Sequence, residues 1–174
     1  PSMADITISL PDGSNRTLAE GATAADLAAD IGPGLAKAAL IATVDGVERD
    51  LDTVLPDGAT VAIITPTSAE GLETIRHSTA HVLAQAVLEL FPGATHAIGP
   101  PIENGFYYDF ELPGGATFSE DDLERIDAKM REIVKADQAF VRGEVSNAEG
   151  LELFADHRFK REIIDNVDAS EVAG

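Results

Sequence analysis

Apolar and polar residues alternate along Ile6-Thr7-Ile8-Ser9-Leu10, the two-residue period of a strand buried on one face. Pro11-Asp12-Gly13-Ser14 follows as a turn, because proline presets φ and glycine supplies a positive φ. A short return strand around Arg16-Thr17-Leu18 then predicts a hairpin. Thr23 is an N-cap residue for a helix over 24–31, with Leu27 and Ile31 one turn apart, and Gly32-Pro33-Gly34 stops that helix. Residues 40–44 and 47–51 flank Asp45-Gly46, a two-residue hairpin signal. Leu55-Pro56-Asp57-Gly58 is a further turn, and Thr60-Val61-Ala62-Ile63-Ile64 a β-branched closing strand. Hairpin, helix, hairpin and closing strand make a β-grasp, ubiquitin-like order.

At Pro66-Thr67-Ser68-Ala69 the period changes from two to 3.6, which sets a domain boundary between 66 and 67. Over 69–90, Leu72, Ile75, Val82, Leu83, Ala86, Val87 and Leu90 gather into one stripe of a long helix, ended by Phe91-Pro92-Gly93. Asn104-Gly105 marks a hairpin turn before a strand over 106–110. Ser119 with Asp122 forms a capping box for a helix whose stripe is Leu123, Ile126, Met130, Ile133 and Val134. Residues 140–145 read as a strand, Ser146 with Glu149 caps a short helix, and another helix begins near Phe159. The fold class is α+β, with a β-grasp domain over 4–66 and a larger α+β domain over 67–174. Pro1-Ser2 before Met3 reads as the remnant of a cleaved tag ahead of the start Met.

Composition narrows the chemistry. With no cysteine among its 174 residues, the chain has no disulfide, thiolate metal site or cysteine nucleophile of its own. A net charge of −19, with neither half basic, opposes sequence-independent binding of a phosphate backbone. No apolar run reaches the roughly 18 residues of a membrane span, and no secretion leader is visible, which predicts a cytoplasmic protein without a membrane partner.

The first domain holds no histidine, and its acids are scattered over turns and helix surface, so it reads as a binding or spacer module. The second holds His77 and His81, one helical turn apart on the side opposite the apolar stripe. Spacing alone fits two surface histidines on a solvated helix as well as two metal ligands or two polar groups of a site. The aromatic run Phe106-Tyr107-Tyr108 fits a packed core hairpin equally well.

Residues 4–66 resemble the TGS domain, a β-grasp module, through Leu10-Pro11-Asp12-Gly13, Ile31-Gly32-Pro33-Gly34, Val44-Asp45-Gly46 and Leu55-Pro56-Asp57-Gly58. His77-Ser78-Thr79-Ala80-His81-Val82-Leu83 followed by Gly99-Pro100-Pro101-Ile102-Glu103-Asn104-Gly105-Phe106-Tyr107-Tyr108-Asp109 resembles the editing domain of the threonyl-tRNA synthetase family. The second motif is far more specific than the histidine pair, and together the matches cover nearly the whole chain. The resemblance implies an aminoacyl-tRNA ligase that joins threonine to tRNA(Thr) with ATP. It also implies a second site that hydrolyses mischarged seryl-tRNA. A pocket for threonine rejects a ligand lacking one methyl by only roughly 1–3 kcal/mol, so editing removes serine afterwards.

Carried over by motif, His77 contacts the ester-linked ribose and helps activate water, and His81 lines or supports the pocket. Lys160 is a polar catalytic group, although Phe159 stands where the family has tyrosine. Gly99 and Tyr108 wall the pocket. The resemblance implies no metal at this site and no cofactor in this stretch, with ATP, Mg and Zn in the catalytic domain of the longer enzyme. It implies a monomer for this chain and a homodimer for the full enzyme. The family completes the site with a downstream Cys-x-x-x-His, which this sequence lacks, so an incomplete editing domain with weak or absent deacylation is expected. The alternatives are a free-standing trans-editing deacylase and a non-catalytic TGS-containing binding module.

Overall fold

The computed structural model describes residues 5–97, 101–139, 141 and 143–166, and they divide into two compact units, residues 1–75 and 76–174. In the first, β1 (Asp5–Ser9) pairs antiparallel with β2 (Asn15–Ala19), placing Ile6 opposite Leu18. The turn between them is held by the Asp12 carboxylate, which accepts from the Ser14 amide at 2.9 Å and its hydroxyl at 2.6 Å. Helix α1 (Ala24–Ile31) starts at a reciprocal cap: the Thr23 hydroxyl accepts from the Asp26 amide, and the Asp26 carboxylate from the Thr23 amide.

Gly32 ends α1 as the sequence predicts, but Pro33 then opens a helix that the sequence reading lacks, α2 (Pro33–Ala38). The breaker doubles as a starter because proline at the first helical position forfeits no hydrogen bond. Strands β3 (Ile41–Val44) and β4 (Val47–Arg49) meet at Asp45-Gly46, both at positive φ (50° and 82°), which matches the twist of a tight hairpin. The Asp45 carboxylate also accepts from the Thr60 amide at 2.8 Å, tying this turn to β5 (Val61–Ile64).

β5 runs antiparallel to β3, and a parallel bridge between Ser9 and Thr60 joins it to β1. The resulting order, β2-β1-β5-β3-β4 with a helix on one face, is the predicted β-grasp. Its inward residues, Ile6, Ile8, Leu27, Val44, Leu55 and Val61 among them, form one core.

The chain leaves β5 through Thr65 and enters α3 (Ala69–Leu90), whose bounds are those the sequence predicts. Ser68 starts the helix, its hydroxyl accepting from the Gly71 amide at 3.0 Å. Gly71 lies so close to the Thr65 carbonyl that a Cβ there would collide with backbone. The apolar stripe needs correction: Leu72 and Ile75 are 43% and 38% exposed, whereas Ala80 and Ala84 are buried. The rest of the expected stripe holds: Ala86 and Val87 are core, with Val82, Leu83 and Leu90 packed against them.

In the second unit, β6 (Thr95–His96) pairs with β9 (Phe110–Glu111), and β7 (Pro101–Ile102) with β8 (Gly105–Phe106). The single strand expected over 106–110 is therefore split, with Tyr107, Tyr108 and Asp109 between two short ladders. Helices α4 (Glu120–Lys135) and α5 (Asn147–Leu153) both begin at the predicted capping boxes, and α6 (Arg158–Asn166) follows. No strand forms at the described residues of 140–145; Phe140 and Arg142 lie outside the described residues. Ala86, Val87, Ala94, Leu112, Ile126 and Ile133 make the core, flanked by Phe91, Phe110 and Phe118. Leu123 and Val134 stay exposed, so α4 buries only part of its expected stripe.

Candidate functional site

His77 and His81 project from successive turns of α3, their ring centroids 4.7 Å apart and tilted by 32°. Both residues are exposed, so the sequence reading of them as lying off the core face describes their position. The β6–β9 ladder brings a third histidine close to the aromatic run: the Tyr108 hydroxyl lies 3.2 Å from His96 Nδ1, with the rings edge to face at 5.4 Å. Tyr108 is itself fixed by stacking on Phe110 at 5.0 Å. His157, just ahead of α6, lies 6.2 Å from His96 and 6.1 Å from Phe154, centroid to centroid. One turn into α6, the Lys160 ammonium sits 6.0 Å above the Phe154 ring.

Electrostatics join these groups into one cluster. Partial burial holds His81 below the ordinary imidazole value, helped by the positive ends of His77, Lys160 and His96. Burial does the same for His96, with Lys160 and His157 adding to it while a hydrogen bond to the Ala97 carbonyl opposes it. Burial raises Tyr108, which keeps its phenolic proton at neutral pH. The cluster thus presents two imidazoles held toward the neutral form, those of His81 and His96, beside a phenol and a lysine.

Beside His81 runs a groove of about 250 Å³ between α3 and the end of α4. Val82, Ile133 and Val134 give it apolar walls, and Gln85, Asp137 and Gln138 give it polar ones. It falls just below the roughly 300–1,000 Å³ of pockets for drug-sized ligands, so its scale is that of a small group. Among the described residues no three His, Asp or Glu side chains converge as metal ligands.

Of the residues singled out from sequence, the structure brings His77, His81, Lys160 and Tyr108 into this cluster. Gly99 lies outside the described residues. Sequence reasoning missed His96 and His157, whose spacing carries no motif; they reach the site only through the β6–β9 pairing and the α5–α6 turn.

The first unit defines a class: residues 6–65 match the TGS domain family. Over almost its full length the chain is also similar to the N-terminal region of bacterial threonine–tRNA ligases. It is 50% identical to that of Citrifermentans bemidjiense over 173 residues, covering 98% of this chain and 27% of the relative. It is 49% identical to that of Myxococcus xanthus over 169 residues (94% and 26%) and 44% identical to that of Rubrobacter xylanophilus over 167 (96% and 26%). The chain therefore spans about a quarter of the length of the relatives it matches.

Proposed function

We propose that this chain is the N-terminal portion of a threonine–tRNA ligase. In this reading residues 4–66 form its TGS domain, and residues 67–174 supply part of a site that hydrolyses seryl-tRNA(Thr). The observation that carries the editing assignment is the His77–His81 pair in the same unit as the Tyr108–His96 contact and the Lys160 ammonium above Phe154. Hydrolysis of an aminoacyl ester needs a base for water and donors for the developing oxyanion. The His77 or His81 imidazole supplies the first; Lys160 and the Tyr108 hydroxyl supply the second. In this reading the aminoacyl side chain enters the groove beside His81, and editing excludes threonine by a steric clash with its extra methyl.

The longer protein would join threonine to tRNA(Thr) in the cytoplasm, using ATP and Mg, with a Zn ion in its catalytic domain. In this reading the editing site itself works without a metal. Dimerisation would belong to the longer protein as well. Among the described residues no helix is long and apolar enough to cross a membrane.

The test is made on the full-length protein with seryl-tRNA(Thr). His77→Ala and Lys160→Ala should each slow serine release by about 100-fold or more while threonine charging continues, the scale on which general acid–base groups act. Unchanged serine release in both variants would overturn the editing assignment.

A further inference from the structure

The cluster contains one hydrogen-bond arrangement that bears on the tautomer of His96. His96 Nδ1 lies 3.2 Å from the Tyr108 hydroxyl oxygen and 3.3 Å from the Ala97 carbonyl oxygen. A carbonyl can only accept, so the contact with Ala97 requires a proton on Nδ1. The Ala97 amide donates to the Asp109 carbonyl at 3.1 Å, which extends the β6–β9 ladder past His96. With Nδ1 protonated, the Tyr108 oxygen also accepts from it, in a three-centre bond. The Tyr108 proton is then not spent on His96 and can be donated to a bound ligand.

We infer that His96 is a positioning residue of the editing site, held as the Nδ1–H tautomer, which makes Tyr108 a hydrogen-bond donor to the aminoacyl ester. This rests on the editing assignment above. The geometry around the pair supports it. Tyr108 is clamped between His96 and Phe110, edge to face on one and stacked on the other, so its hydroxyl has a fixed place. Burial keeps Tyr108 protonated and His96 neutral near pH 7, the two states that the arrangement requires. The opposite tautomer would set the Nδ1 lone pair against the Ala97 carbonyl and turn the Tyr108 proton inward, away from any ligand.

Long-range proton–nitrogen NMR of this chain reads the tautomer directly at neutral pH. The expected spectrum has a protonated Nδ1 and an unprotonated Nε2 on His96, and Tyr108→Phe shifts the His96 Nδ1 resonance. A His96 protonated on Nε2 alone, or an Nδ1 resonance indifferent to Tyr108→Phe, overturns the inference.

A second arm measures binding of a non-hydrolysable 3′-seryl-amino-adenosine. Tyr108→Phe and His96→Phe should each weaken it about five- to tenfold, the cost of one hydrogen bond. His96→Asn, whose amide nitrogen stands where Nδ1 stood, should restore most of the affinity. If His77→Ala weakens binding but His96→Phe and Tyr108→Phe do not, the inference fails and the editing assignment stands. If none of the three has an effect, the editing assignment itself fails.

Discussion

The β-grasp unit and the unit that follows it spend their residues differently. The first closes on nine buried apolar residues from three of its strands, α1 and the loop between the last two strands. The second buries six, relies on Phe91, Phe110 and Phe118 to fill the remainder, and leaves Leu123, Val134, Leu153 and Ile163 exposed. Yet every histidine of the chain lies in the second unit, and His81 and His96 are lowered there, first by burial and then by neighbours that include Lys160. Chemistry needs side chains that are partly wet and electrostatically coupled, and the histidines that could supply it all lie in the second unit.

The largest test of that contrast is Leu27→Ala in the first core. Leu27 is fully buried, and the variant should lose about 2–5 kcal/mol in urea unfolding. Val134→Ala in the second unit, 66% exposed, should stay within about 0.5 kcal/mol. Equal losses would erase the distinction between the two units. Next in size is Gly71→Ala at the start of α3. Its Cβ would meet the Thr65 carbonyl, which is backbone and cannot swing aside, so a loss of roughly 1–3 kcal/mol is expected from thermal melts.

Removing a cap costs less. Ser119→Ala deletes the hydroxyl that accepts from the Asp122 amide and should lower stability by about 1 kcal/mol, measured by denaturant unfolding.

The smallest expected effect is linked to protons. His81 and His96 are both depressed in the folded chain, so the unfolded chain binds their protons more readily. Their contribution is complete above the unfolded value of about 6.5 and is lost as pH falls from there through the depressed folded values. Stability of the second unit should therefore decline below about pH 6.5, before carboxylates titrate. Unfolding followed at Tyr108 across that range checks it, and stability that rises on acidification would reverse the sign.

The sequence made the first unit readable because its signals are local. Asp45-Gly46, Thr23 with Asp26, and Pro11-Asp12-Gly13 each dictate backbone geometry without help from distant residues. The limits of α3 and the capping boxes of α4 and α5 were readable for the same reason. What escaped depends on tertiary context. Pro33 could be read as a stop or a start, and only the structure shows α2. Ala80 and Ala84 are weak in any hydrophobicity pattern, yet they are buried where Leu72 and Ile75 are exposed. His77 and His81 were visible as a pair because a helix relates them, and Lys160 and Tyr108 entered through family resemblance. His96 and His157 had no signal at all: 61 residues of sequence separate them, and only folding brings their rings to 6.2 Å.

The central claim is that these groups form one ligand site in the second unit. Titrating the chain with 3′-seryl-amino-adenosine while observing its side-chain NMR resonances tests it most directly. The account predicts saturable shifts at His81, His96, Tyr108 and Lys160, none in residues 5–66, and loss of the response in His77→Ala. Shifts confined to the β-grasp unit, or a response that survives His77→Ala unchanged, would contradict it.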